Sequence, residues 1–363
     1  METTNKGPNW RQVALFVGVT FALSWGLNLA LWLTIGYRGD AALGILLQLQ
    51  MLLPAFSAIV LGQFVFRNSH IFRRKELGPP RVFLWFFLAY TLAFAGLGIW
   101  SLTAPAQVGL VATITQLLTM LGLLLVIALR LIGGKDAFAQ SGLAFGKIKW
   151  WLLFGLGIVA FYALQTALNH LFKLGEVVNL VAFLQSATAA GTQSQEAIQW
   201  AETSPGVFLL VSGLQSVLIS PFIVILISFG EEYGWRGYLQ GELVKLGRIK
   251  GVLLVGLIWG VWHAPIVAMG HNYPGYPLTG PLAMIVYSVG LAFVFGYDML
   301  KSGSVWLAAF LHGINNQALS FLVMMVYKPA DPMFSFGIGL YGLLSLAVVV
   351  GLILTDPVWR RAE

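Results

Sequence analysis

Residues 207–236 read VFLLVSGLQSVLISPFIVILISFGEEYGWR, and two features of that run decide how the chain is built. From Val207 to Ile227 it is apolar almost throughout, over about the 20 residues that span a bilayer. Glu231, Glu232 and Arg236 then follow at once. A charge at the bilayer centre costs about 2.5–3.5 kcal/mol on the insertion scale, so it persists where it has a partner or a task. Glu232 and Arg236 stand four apart with the acid first, the favourable order on one helical face. Glu231 lies about 100° round the helix with no local partner, and it is the residue to be explained.

The rest of the composition points the same way. The 363 residues are 58% hydrophobic and only 10% charged, with a mean hydropathy of +0.82, where a soluble domain carries about 25% charged residues. No water-soluble core hides that much apolar surface. The expected fold is an all-α polytopic membrane helix bundle of about ten transmembrane helices, both termini cytoplasmic. The spans are read near 13–35, 43–66, 82–102, 108–132, 151–172, 206–230, 251–270, 281–300, 305–327 and 334–355, with kinks expected at Pro54 and Pro221. The first run is long enough to span, so no cleavable signal peptide is expected.

Loop charge supports that count. Of the 21 Lys and Arg, only Arg38, Lys173 and Lys328 fall in outer segments; the rest, from Lys6 through the Arg73-Arg74-Lys75 cluster to Arg361, fall inside. Such a bias is what the positive-inside rule demands, and the net charge of +7 implies no nucleic-acid partner. The absence of cysteine removes disulfides, thiol nucleophiles and Cys-based metal sites. Residues 173–205 read as a solvated outer connector, with a short helix on the membrane surface as the alternative, and 237–250 as a short amphipathic helix on the inner surface. Three regions follow: 1–205, N-terminal helices and the outer loop without an assignable motif; 206–327, the polar core; 328–363, a last helix and a cytoplasmic tail. The cytoplasmic membrane is the expected location.

Two histidines lie inside predicted spans. His263, in Trp259-Gly260-Val261-Trp262-His263, is about halfway across the seventh. His312 lies early in the ninth, with Asn316 one turn on along the same face. Either alone is explained by a hydrogen bond between helices; two His, an Asn, two Glu and an Arg together are read as function. His70, His170 and His271 read as solvated, as does Asp298 near the inner end of its helix.

A carboxylate and an imidazole sharing one water can remove its proton. A second imidazole and a carboxamide can stabilise the oxyanion formed when that water attacks a carbonyl. Glu231, His263, His312 and Asn316 supply such a set, that of a hydrolase cutting an amide in or beside the membrane. Glu231, His263 and His312 also make a common zinc set. The chain lacks His-Glu-x-x-His, Gly-x-Ser-x-Gly and the Gly-x-Gly-Asp of intramembrane aspartyl proteases. No cofactor is favoured, with zinc as the alternative. Glu231 sits near the inner end of its predicted span and His263 halfway across, so a water-filled cavity opening from the cytoplasm is expected between the sixth, seventh and ninth helices.

Taken together, Glu231-Glu232-x-x-x-Arg236, Trp259-x-x-x-His263 and His312-x-x-x-Asn316 resemble the three motifs of the CPBP intramembrane protease family. That family joins type II CAAX prenyl endoproteases with Abi and bacteriocin-immunity-like proteins. The resemblance covers roughly residues 206–327 and departs at Trp259, where the family usually has Phe. It implies Glu231 as the base acting with His263, His312 and Asn316 as oxyanion donors, and Glu232 with Arg236 as an orienting ion pair. The implied activity is a glutamate-type endopeptidase acting on a membrane-anchored peptide or protein within the lipid bilayer; family annotation has also read these residues as metal ligands. Two other classes use the same residues: a transporter with a proton relay, and a non-catalytic immunity or scaffold protein.

Overall fold

The chain is helical almost throughout because the bilayer offers its backbone no hydrogen-bond partners, so each span must satisfy its own. The computed structural model describes residues 7–37, 41–67, 78–189 and 193–360. His70 and the charges Lys6, Arg38, Arg73, Arg74, Lys75 and Arg361 lie outside the described residues. The first five helices are α1 (Trp10–Thr34), α2 (Ala41–Phe64), α3 (Pro79–Thr103), α4 (Val108–Gln140) and α5 (Ile148–Leu171). A broken helical run follows, composed of α8 (Pro205–Leu214), α9 (Ser220–Ile223), α10 (Ile225–Glu232) and α11 (Gln240–Leu243), joined by π-helical turns at 215–219 and 233–239. The chain then continues as α12 (Arg248–Ala268), α13 (Thr279–Ser302), α14 (Val305–Phe321) and α15 (Leu340–Ile353). Among the described residues nine helices are long and apolar enough to cross a membrane, while Leu340–Ile353 is a shorter apolar helix.

Two faces are defined by contacts between loops. On one, the Asn9 backbone N–H donates to Glu242, Arg248 donates to the Val358 carbonyl and Ser304 to the Ala144 carbonyl. On the other, Tyr37 meets His271, Tyr276 donates to Asp331, and β1 (Gly175–Val177) pairs antiparallel with β2 (Tyr327–Pro329). The first face carries the described ends of the chain and is called here the termini face.

Three expectations are corrected. The predicted sixth span does not stop before the Glu pair. Its helical run continues to Leu243, and residues 238–240 are buried, so no amphipathic surface helix covers 237–250; the chain turns instead at Gly247 (φ 100°). The 173–205 connector holds α6 (Leu180–Ala189) and α7 (Gln195–Thr203), which bury Leu184 and Ile198 against Phe208. Asp298 is fully enclosed rather than solvated. Of the expected kinks, Pro221 lies at the start of α9, just past the π-helical turn at 215–219, whereas Pro54 lies inside a continuous α2.

Close backbone seams hold the core together. Gly230 and Gly234, one turn apart, lie against the backbone of α2 at Met51–Leu52 and at Pro54, so a side chain at either would collide with main chain. Gly256 and Gly260 do the same for α12, against the Cα atoms of Val289 and Ile285 in α13. Where lipid is as apolar as leucine, close approach of small residues supplies the packing contacts that drive helix association. The first seam also decides where the acids go, since Glu231 and Glu232 lie between its two glycines.

Candidate active site

The two acids are deep because their helix runs on past them. From Glu231 to Leu243 is about 18 Å and from Arg248 to His263 about 22 Å at 1.5 Å per residue, so both residues stand at similar depth above the turn that joins their helices. Glu231 is 2%, Glu232 0% and Arg236 1% exposed. Arg236 therefore leaves the tally of loop charges and belongs to the interior.

Glu232 and Arg236 form the ion pair their spacing predicts, with Nη1 3.2 Å from Oε1 and Nε 3.1 Å from Oε2. The same carboxylate accepts from His312 Nδ1 at 2.7 Å. One acid thus holds a guanidinium and an imidazole, which is how a buried charge avoids the several kcal/mol an unpaired ion costs. The guanidinium lies over the rings of Trp259 (4.0 Å to the centroid) and Phe295 (5.1 Å), a cation–π arrangement worth about 2 kcal/mol when desolvated.

Glu231 does have a partner, one that sequence reasoning missed. The Trp259 indole N–H donates to its Oε2 at 2.6 Å. The Phe usual in the family would pack there but could not donate. The Trp259 carbonyl takes a second role, lying 2.9 Å from His263 Nδ1. A carbonyl only accepts, so that nitrogen carries a proton, and in the neutral ring Nε2 keeps its lone pair. Both imidazoles flank the Trp259 ring, at centroid distances of 5.6 Å for His263 and 5.8 Å for His312.

A cavity of about 440 Å³ collects these groups: Glu231, Trp259, His263, His312, Asn315 and Asn316 all line it. The four residues predicted to act on a substrate face one space, and Glu232 and Arg236 lie behind His312. From α2 come Gln48, Gln50 and Met51, which no motif signalled. His271 and Asn272 also line the cavity, so His271 is not simply solvated; its ring sits 2.8 Å from the Tyr37 hydroxyl. That lining, with Ile338, leads toward the face opposite the termini. An opening on the termini face was expected; there the space beneath Glu231 is filled by Trp235, Tyr238, Leu239 and Leu243, all buried. Among the described residues no three His, Asp or Glu side chains are grouped so as to hold a metal ion. As placed, Glu231, His263 and His312 do not make up such a group.

Residues 213–318 match the Rce1-like family of type II CAAX prenyl endopeptidases, a stretch that contains all three motifs. A curated relative, the CAAX prenyl protease 2 of Methanococcus maripaludis, is 34% identical over 53 residues, which is 14% of this chain and 20% of that protein. The chain therefore matches only about a fifth of that relative's length. No solved structure matches the chain. Both matches support the resemblance to CPBP proteases, and the Rce1-like segment begins within α8 and ends in α14.

Proposed function

We propose that the protein is an intramembrane endopeptidase that hydrolyses a peptide bond in a membrane-anchored protein or peptide. The observation that carries this is the single cavity, inside a bundle of membrane-spanning helices, lined by Glu231, His263, His312 and Asn316. The Rce1-like match supplies the reaction class.

In this reading a water held between the Glu231 carboxylate and His263 Nε2 loses a proton to Glu231 as its oxygen attacks the scissile carbonyl carbon. The carbonyl oxygen becomes an oxyanion, stabilised by N–H groups of Asn316 and of His312. For that, His312 acts as an imidazolium, its Nδ1–H held by Glu232 and its Nε2–H turned to the cavity. Collapse of the intermediate breaks the C–N bond, and Glu231 returns its proton to the departing amine. Glu232 and Arg236 touch no substrate here; they hold His312 in position. The reading needs no metal.

The test uses the purified chain and a pool of membrane-anchored peptides, prenylated and not. Wild type should cleave at least one member, and Glu231→Gln and, separately, His263→Ala should each lose about 10³-fold or more in kcat, within the range for a lost general base or transition-state contact. Folded wild type that cleaves nothing, or variants that cleave equally well, would sink the enzyme reading. Metal analysis of the sample and chelator in the assay separate the mechanisms: activity that falls with chelator and returns with zinc overturns the metal-free reading.

A further inference from the structure

Asn315 and Asn316 are adjacent on α14, and neighbouring residues of a helix ordinarily point apart. Here their side chains are joined: Asn315 Nδ2 donates to Asn316 Oδ1 at 3.1 Å. Asn315 is in turn held from behind. Its Oδ1 accepts from the Tyr162 hydroxyl of α5 at 2.6 Å, and that hydroxyl in turn accepts from the Tyr287 hydroxyl of α13 at 2.5 Å, which also lies 3.2 Å from the same Oδ1. Tyr162, Tyr287 and Asn315 are all buried.

The direction of these bonds has a consequence for Asn316. A carboxamide offers an oxygen that accepts and an NH2 that donates. With the oxygen engaged by Asn315, the group left to the cavity is the NH2, the only end able to stabilise an oxyanion. The arrangement also closes a wall. Tyr287 and Asn315 line the polar cavity, while Tyr162 and Asn315 line a separate apolar crevice of about 150 Å³ beside Leu346 and Ile353. Three polar groups at that boundary satisfy one another and leave one amide facing the polar side.

We propose that Tyr162, Tyr287 and Asn315 form a latch that holds the Asn316 carboxamide with its NH2 turned into the cavity, making α5 a working part of the site although it lies outside the Rce1-like segment. These are positioning residues. The catalytic consequence rests on the endopeptidase reading; the orientation of the amide does not.

The test uses the full chain in nanodiscs as wild type, Tyr162→Phe, Tyr287→Phe and the double variant. With 15N-asparagine labelling, the Asn316 side-chain NH2 pair is identified by its loss in Asn316→Asp. Wild type should show a restrained pair, and the double variant a mobile one at an unchanged unfolding temperature. An Asn316 pair as restrained in the double variant as in wild type overturns the latch. If the double variant does not fold, Tyr162→Phe alone is read against the same two outcomes. In the peptide assay the double variant should lose about tenfold in kcat with KM unchanged within about twofold, a fraction of the 10²–10³-fold that removing an oxyanion donor outright costs. Adding Asn316→Ala to the double variant should lower kcat no further than Asn316→Ala alone; losses that instead multiply in full, or that fall in KM, overturn the positioning role. A wild type that cleaves no peptide defeats the endopeptidase reading, and the NMR readout still decides the latch.

Discussion

At the scale of single residues, Trp259 does more than its place in a motif suggests. Its indole donates to Glu231, its carbonyl accepts from His263, and its ring covers Arg236. Phe in its place keeps the ring and most of the buried area but removes the donor. Hydrogen bonds to charged groups contribute about 1.5–3 kcal/mol, so Trp259→Phe should fold normally and lose about ten- to a hundredfold in kcat/KM. Steady-state kinetics with the peptide found for wild type check this; unaltered kinetics would show that the indole N–H does not hold Glu231. His271 is a second case, outside the spans. Burial pushes its imidazole down to about 4 from the ordinary 6.5. The unfolded chain then takes up a proton below pH 6.5 that the folded protein refuses, so this residue's contribution is full above pH 6.5 and is lost as pH falls from there to about 4. His271→Gln should flatten that part of the stability profile, read as unfolding temperature at pH 7 and pH 5; an unchanged slope would remove His271 from the account.

At the scale of elements, the seam between α2 and the α10–α11 run places the acids. Gly234 rests on Pro54, and a methyl group there meets backbone rather than a movable side chain. Gly234→Ala should therefore push the helices apart and destabilise by about 1–3 kcal/mol, the usual range for overpacking, and it should lower activity because Glu231 and Glu232 ride on the displaced helix. Gly157→Ala in α5, where nothing lies within 4 Å, is the matched control and should be neutral. Denaturation in detergent compares the two; equal stability of both variants would mean that the seam has slack. The π-helical turns that flank the α9–α10 stretch belong to the same run, and such bulges commonly mark functional positions in helices.

At the scale of the whole molecule, the cavity and the basic loops lie on opposite faces. Arg67, Lys245, Arg248 and Lys250 are on the termini face, and the cavity lining leads through Asn272 to the other. The positive-inside rule predicts that the termini face is cytoplasmic, and with it that a substrate of the proposed activity enters toward Glu231 from the outer side. The absence of cysteine makes this directly measurable. A membrane-impermeant maleimide added to intact cells should label Asn272→Cys, and should label Lys250→Cys only after the membrane is opened. The reverse pattern would place the cavity on the cytoplasmic side.

Much of this was legible in residue order. Mean hydropathy demanded a polytopic bundle, the i, i+4 spacing of Glu232 and Arg236 foretold their ion pair, and a shared pocket for Glu231, His263, His312 and Asn316 was expected from how rarely such groups enter a membrane. Other features were hidden because they depend on contacts between distant segments. No local pattern shows that the sixth span runs on to Leu243, that α2 lends Gln48 and Gln50 to the cavity, or that Tyr162 reaches Asn315. By itself the sequence determined that the chain is a membrane helix bundle carrying His263 and His312 within its spans, because solvation cost is a property of each side chain. Which way those groups turn, what they bond to and from which face water reaches them were decided only by tertiary structure, because helix seams and through-space hydrogen bonds join residues that the chain keeps far apart.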